Sequence, residues 1–395
     1  MPAELVCATC HRMAPADSLR WRCPCGGLYD VRLKAIFPRE AIRTRPQSLW
    51  RYRETLPLPA EGEAVTLGEP VTPLLPWAAL PGSHLKLEFL LPTGSFKDRG
   101  AAVMLSHMKR LGVQAGVEDS SGNAAAAVAA YAARAGIACR IFVPASASSG
   151  KLTQIAAYGA EVVPIPGTRE DVAAAARKEA EHTYYASHVF NPYFFQGTKT
   201  FAFEVWEQLG FRAPDQVILP VGHGTLYLGA YLGFRDLLEA GEIARLPRLI
   251  GIQAEPCAPL AAAWSGRPTA EPGATIAEGI RIAAPDRAEA ILEACRQSQG
   301  DLLTVSEAEI VSALFTLGRT GFYVEPTAAV APAGALKLAA AGKLPAGETT
   351  VIPLTGSGLK AASAIAELLK SRPAEPPAVS RVYSPQHRSS PAEAV

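Results

Sequence analysis

Long hydrophobic runs are missing from this chain. Gly, Pro and charged residues interrupt every apolar stretch well short of the ~20 residues that a membrane helix needs, so no membrane partner is expected. A charge excess is missing too. Lys and Arg number 38 against 37 Asp and Glu, so no global field recruits nucleic acid or an anionic surface. The start, Met1-Pro2-Ala3-Glu4, lacks a basic stretch followed by an apolar one, and a cytoplasmic protein is expected. No Gly-Lys-Ser/Thr ends a glycine-rich loop, and no G-x-G-x-x-G opens a helix, which excludes a P-loop nucleotide site and a dinucleotide fingerprint. No fixed-period repeat is present, which excludes a solenoid.

Cysteine is sparse and uneven. Cys139, Cys257 and Cys295 stand singly in apolar surroundings and read as small buried hydrophobes in a reducing compartment. The other four crowd the first thirty residues as Cys7-Ala8-Thr9-Cys10 and Cys23-Pro24-Cys25-Gly26-Gly27. The first pair has zinc-knuckle spacing and the second is one residue tighter. Four thiolates on two short turns can hold one tetrahedral zinc ion, and a segment this short needs such a staple to fold. Unmetallated thiols are the alternative. A closed four-sulfur shell leaves no open position for catalysis.

Apolar residues make up 49% of 395, too long a chain for one compact core, so two lobes and an appendage are expected. An alternating strand is expected over 84–89, and short apolar strands over 138–143, 160–164, 216–221, 249–254 and 350–354. Helices are expected over 100–111, 123–135, 152–158, 226–239, 310–319 and 328–341, with a last one ending at 369. This recurring strand–helix order predicts an α/β fold with mostly parallel sheets covered by helices on both faces. Trp50, Tyr52 and Leu56, in a Pro- and Arg-rich connector, are expected to pack as an arm on the body. The Pro-, Ser- and Arg-rich stretch 371–395 reads as a disordered tail.

Chemistry concentrates in four small polar turns. Pro92-Thr93-Gly94-Ser95-Phe96-Lys97-Asp98-Arg99-Gly100 sets a lysine between a turn and a helix start. That placement suits a Schiff-base lysine whose aldehyde cofactor carries a phosphate. Ser120-Ser121-Gly122-Asn123 leads into an alanine-rich helix. It can cap that helix, or bind a carboxylate or ring hydroxyl at the helix start. Gly222-His223-Gly224-Thr225 joins an apolar strand to a helix; its successive N–H groups can form a nest for a phosphate. Thr355-Gly356-Ser357-Gly358 ends another strand, and its hydroxyls can face a heteroaromatic nitrogen. A neutral hydroxyl there suits elimination or replacement and disfavours transamination.

These sites, in this order, resemble the pyridoxal-phosphate enzymes of the tryptophan synthase β fold (fold type II), and within them threonine synthase and its relatives. The resemblance runs over 67–369. It also includes Gly150-Lys151 with Gln154 and Gly159-Ala160, then Asn191-Pro192, Gly197, Lys199-Thr200 and Glu204, and finally Leu359-Lys360 after the last turn. It implies two open, mostly parallel sheets, with a zinc-ribbon-like segment ahead of them. It implies pyridoxal 5′-phosphate joined to Lys97, with Asn123 at the ring hydroxyl, Gly222, His223, Gly224 and Thr225 at the phosphate, and Thr355 at the ring nitrogen. Ser120 and Ser121 are implied at the substrate carboxylate. Lys151, Lys199 and Arg99 are the cations available for a substrate phosphate. Cys7, Cys10, Cys23 and Cys25 are the implied zinc ligands. Two departures stand out: the phosphate turn reads Gly-His-Gly-Thr-Leu where threonine synthases carry Gly-Asn-x-Gly-Asn, and Ala361 replaces an Asp after the closing lysine.

The organisation expected is a ribbon over 1–30, a large domain from 31–102 and 196–370, and a small inserted domain over 103–195. The implied activity is a lyase converting O-phosphohomoserine and water to threonine and phosphate, in a cytoplasmic homodimer acting on a small amino acid. The competing readings are an ammonia-lyase or β-replacement enzyme on another β-substituted amino acid, and a non-catalytic ligand sensor on the same fold.

Overall fold

A computed structural model describes residues 3–58, 64–146 and 149–370. The expected tail over 371–395 lies outside them. Thirteen strands occur among the described residues: β1 (Glu4–Cys7), β2 (Met13–Pro15), β3 (Tyr29–Arg32), β4 (Leu74–Pro76), β5 (Ser83–Lys86), β6 (Ala115–Glu118), β7 (Ala138–Pro144), β8 (Glu161–Ile165), β9 (Tyr184–Tyr185), β10 (Gln216–Pro220), β11 (Arg248–Ala254), β12 (Asp301–Val305) and β13 (Thr350–Pro353). They form three sheets.

The six-stranded sheet has the order β12-β11-β10-β13-β5-β4 and is parallel except for the antiparallel β4 edge. Its central strands β10, β11 and β13 are mostly apolar and buried because both faces are covered. Val217, Leu219, Leu249 and Val351 join one core with Phe201, Trp206 and Phe234. Their alternates, Ile218, Ile250, Ile252 and Ile352, join the opposite core with Leu314, Val330 and Leu338. The two-residue period of a strand makes this division.

The four-stranded sheet, order β8-β7-β6-β9, is wholly parallel and divides its strands in the same way. Val117, Phe142 and Tyr185 face one core, Ile141 and Val143 the other. The alanine-rich helix Asn123–Ala135 packs on this sheet with Ala124–Ala132 buried. Gly136, at φ +72°, ends it in a left-handed cap that a Cβ would disfavour.

Helix Lys97–Arg110 begins three residues before the expected start, at Lys97 itself. Helix Pro192–Thr198 crosses it closely. A Cβ on Gly197 would lie 1.9 Å from the Arg99 carbonyl oxygen, so only glycine lets the two backbones meet and hold the Lys97 end in place. The connector behaves as the arm expected of it. Tyr52 and Leu56 are buried, and Tyr52 donates to Glu207 Oε2 at 2.5 Å.

The N-terminal segment is a three-stranded antiparallel sheet, β2-β1-β3. It leans on the body through Trp21, whose ring lies 5.3 Å from both Tyr185 and Phe190. No helix among the described residues is long and apolar enough to cross a membrane.

Candidate active site

The carboxyl ends of parallel strands are where ligands bind in open α/β sheets. Here the chain segments after β6, β10 and β13 converge with Lys97 on one cavity of about 720 Å³. Lys97, Ser120, Ser121, Asn123, Gly222, His223, Gly224, Thr225 and Thr355 all line it. Residues from four distant stretches of chain thus meet in one place.

The Lys97 ammonium donates to Thr225 Oγ1 at 2.7 Å and lies 4.8 Å from the centre of the Phe96 ring. Burial pushes its pKa down to about 7, against the pull of Glu118 and Glu325. A lysine near neutrality is a usable nucleophile and base. The turn before it is braced from inside: the Asp98 carboxylate accepts from both the backbone N–H and the hydroxyl of Thr93.

The turn Gly222-His223-Gly224-Thr225 joins β10 to the next helix. Gly224 is left-handed at φ +75° and caps the fifteen-residue helix Thr225–Glu239. A Cβ there would fall 2.4 Å from Ile291 Cδ1. Free N–H groups at a helix start attract an anion. Two further atoms await partners. Asn123 donates to Glu325 Oε1 at 2.8 Å, but its own Oδ1 is buried with none. The Thr355 hydroxyl is likewise buried and unpartnered. A ring hydroxyl can donate to the first, and the second can donate to a ring nitrogen. The residues present therefore fit a phosphorylated pyridine aldehyde: an amine, an anion nest and two orphaned polar atoms at separate points of one wall.

Two cations, Lys199 and Arg99, do not stand where the substrate reading put them. Lys199 is buried away from the cavity and donates to Asp236 Oδ2 at 2.8 Å. A lysine desolvated at the junction of helices Pro192–Thr198 and Thr200–Gln208 needs the carboxylate, and the ion pair fixes it there. Arg99 is sealed in the interior between Glu88 and Glu204, each at 2.6 Å. The Lys151 side chain lies outside the described residues. The cations on the cavity wall besides Lys97 are Arg169, Arg177 and Arg281. Arg169 donates to Asp119 Oδ2 at 2.9 Å and keeps Nη1 unpartnered.

Other residues at or behind the wall were invisible to motif reading. Glu118, Asp119 and His188 bring a carboxyl–imidazole contact of 2.6 Å between Glu118 Oε1 and His188 Nδ1, and His188 and Asp119 line the cavity. Burial pushes the Glu118 carboxyl well up, reinforced by Asp119. Burial also pushes the His188 imidazole well down, helped by Lys97, His223 and Arg169. His223 is driven down to about 3, mainly by burial. The available signal was a pair of carboxylates just before Ser120 and a histidine three residues before Asn191.

The four N-terminal cysteines lie apart from this wall and from any disulfide. Their sulfurs all lie within 4.8 Å of one another, with 3.5 Å between Cys7 and Cys25 and 3.6 Å between Cys10 and Cys23. Four sulfurs about 2.3 Å from a tetrahedral zinc stand roughly 3.8 Å apart, so the cluster can close on one ion.

Similarity to known proteins agrees with this geometry. Threonine synthase of Methanocaldococcus jannaschii is 36% identical over 373 residues, covering 90% of this chain and 92% of that one. Threonine synthase of Mycobacterium bovis is 39% identical over 324 residues, covering 80% and 89%. Among solved structures, the threonine deaminase of T.th. superposes with a TM-score of 0.61 at 30% identity, covering 73% of this chain and 92% of that one. Residues 65–356 match the pyridoxal-phosphate dependent enzyme family, and that span takes in Lys97, all but the last residues of the closing turn, and every wall residue between them: the chain belongs to this family, with threonine synthases among its relatives.

Proposed function

We propose that the protein is a threonine synthase-like lyase that takes O-phosphohomoserine and water to threonine and phosphate. The observation that carries this reading is Lys97, an amine brought close to neutrality by burial and facing an anion nest across a cavity with room for a cofactor and an amino acid. Lys97, Asn123, Gly222, His223, Gly224, Thr225 and Thr355 hold pyridoxal phosphate in this reading. When bound, it supplies an electron sink that acidifies C–H bonds of the joined amino acid.

The chain's residues do the rest. Ser120 and Ser121, at the start of helix Asn123–Ala135, hold the substrate carboxylate, and that grip turns the Cα–H bond toward Lys97. Lys97 Nζ takes that proton, and Thr225 Oγ1, already at 2.7 Å, steadies the amine. Thr355 offers the ring nitrogen a neutral hydroxyl, which favours loss and replacement of a substituent over amino transfer. Phe96, Phe190, Ile280 and Ile282 supply apolar stretches of the wall that help to keep bulk water from the reacting atoms. Arg169, a cation on the cavity wall, replaces Lys199 as the contact for the substrate phosphate.

Structural zinc on Cys7, Cys10, Cys23 and Cys25 belongs to the same proposal, as do a cytoplasmic location, in keeping with the unpaired single cysteines, and a homodimer, which rests on the resemblance and which sedimentation of the purified protein tests. The deciding assay is release of phosphate together with threonine from O-phosphohomoserine. A second reading, an ammonia-lyase on an unphosphorylated amino acid, draws on the ion-paired Lys199 and the altered phosphate turn. Ammonia without phosphate from a panel of β-substituted amino acids would establish it instead.

A further inference from the structure

We propose that His188 is a second catalytic acid–base group of this site, oriented by Glu118, and that it serves the oxygen of the leaving group and then the incoming water. The inference rests on the reading given under Proposed function. It starts from geometry. Glu118 ends strand β6 and is fully buried; His188 follows β9, the strand paired with β6, and is 5% exposed. The Glu118 carboxyl grips His188 twice, at 2.6 Å through Nδ1 and at 3.1 Å through the backbone N–H. Two bonds from one carboxyl fix both the position and the ring orientation. His188 lines the cavity, and its Nε2 has no hydrogen-bond partner and is not among the sealed polar atoms of the described residues. One imidazole nitrogen is thus held from behind while the other faces the substrate space, the arrangement by which a carboxyl orients a catalytic histidine.

The charges around the pair fit this role. Lys97, His223 and Arg169 face His188, and Asp119, Arg169 and Lys97 face Glu118. The His223 ring lies 5.8 Å away, edge-on, and that of Phe194 6.1 Å away. Burial favours the neutral form of both partners, so one proton lies between Glu118 Oε1 and Nδ1 and a second sits on Nε2; as the second is passed outward, the first moves onto Nδ1. A structural reading alone, a histidine satisfying a buried carboxyl, does not require Nε2 to face the cavity.

The proton ledger closes. As the Cγ–O bond of O-phosphohomoserine breaks, its electron pair leaves on the phosphate oxygen, which takes the proton from His188 Nε2. Water then adds its oxygen to Cβ, and its surplus proton returns to Nε2. The dyad ends as it began. On carbon, the Cα–H and Cβ–H bonds break before the Cγ–O bond, and new C–H bonds form at Cγ and then at Cα, so two protons leave carbon and two return by way of Lys97.

The test uses the cofactor-loaded enzyme. His188→Gln keeps a polar atom near Nε2 but cannot exchange the proton. Phosphate release should fall by about 100-fold or more, KM should change little, and the limb of the kcat–pH profile carried by the pair should vanish. Turnover that does occur should partition toward 2-oxobutanoate and ammonia, because the water step is also impaired. Glu118→Gln should keep the same products with a shifted limb. A readout free of turnover comes from 15N-labelled histidine. Inorganic phosphate should move the His188 Nε2 resonance in the wild type, and Glu118→Gln should change the tautomer. An unchanged kcat and product ratio in His188→Gln, or an Nε2 resonance indifferent to saturating phosphate, overturns the dyad. If wild-type enzyme releases no phosphate while the resonances respond as described, the dyad stands and the substrate assignment falls.

Discussion

Arg99 Nη1 lies 2.6 Å from Glu204 Oε1, and neither side chain has any exposure to solvent. Two residues along from the amine of the site, this guanidinium also holds Glu88 at 2.6 Å, while Lys86 reaches Glu204 at 2.7 Å. Burial alone would raise the Glu204 carboxyl, but Arg99 and Lys86 pull it down to about 2. The cluster ties β5, the start of helix Lys97–Arg110 and helix Thr200–Gln208 into one unit.

Removing the arginine leaves two carboxylates buried with too little positive charge. Arg99→Met should therefore lower unfolding free energy by about 3–5 kcal/mol. Urea denaturation checks it. A loss below about 1 kcal/mol, the range of solvent-exposed pairs, would mean that water reaches the cluster.

Lys97 makes a pH-dependent prediction. Its depressed value of about 7 means the amine is mostly free above neutrality, whereas an exposed lysine is protonated until about pH 10.4. Reconstitution of cofactor-free protein with pyridoxal phosphate should speed up as pH rises from about 6 to about 8 and then level off. Lys97→Ala should stay folded, with no borohydride-fixed cofactor and no turnover. A rate still climbing steeply as pH approaches the value of an exposed lysine would contradict the burial argument.

Gly224 tests the phosphate nest. At φ +75° a β-branched residue is strained by about 1–2 kcal/mol, and its Cβ would press on Ile291. Gly224→Val should weaken pyridoxal phosphate binding by about 10-fold or more, read from visible absorbance on titration. Unchanged affinity would place the phosphate on another turn.

What the sequence made legible follows from what is local. Helix Asn123–Ala135 was readable to the residue because Gly122 and Gly136 bracket an alanine run. Strand Gln216–Pro220 was readable because a buried, mostly apolar run ends in a glycine turn. Strand Ala115–Glu118 was not, since Ala-Gly-Val-Glu has neither a period nor β-branched enrichment. Helix Arg169–Glu179 is equally hard to read; its charges hide a capping box, with Thr168 and Asp171 each bonding the other's backbone. The same limit governs the site. Cofactor turns are contiguous and could be recognised one by one. Glu118 and His188 are 70 residues apart, and Lys199 finds Asp236 across 37; such pairings exist only after β6 has met β9 and the helices have packed.

The cysteine cluster and the cavity wall are joined by Arg287, and this gives the last prediction. Arg287 Nη1 contacts Asp30 at 3.1 Å and Nη2 reaches the Tyr29 carbonyl oxygen at 3.4 Å, both in the N-terminal sheet. The same guanidinium donates through Nε to the Val189 carbonyl oxygen at 2.7 Å and through Nη2 to that of Phe190 at 3.3 Å. Val189 and Phe190 line the cavity, directly after His188. A metal that holds the N-terminal sheet together should therefore steady this wall without touching the reaction. Elemental analysis should find about one zinc per chain, lost in Cys23→Ser with Cys25→Ser. That variant should melt at lower temperature and show a several-fold higher KM, with the absorbance of the Lys97-bound cofactor unchanged. Arg287→Met should reproduce the KM effect while keeping the zinc, because it cuts the link and leaves the cluster whole. Zinc-free native protein would remove the metal from the account. A metal-stripped variant with unaltered KM would show that Arg287 transmits nothing from the N-terminal sheet to the wall.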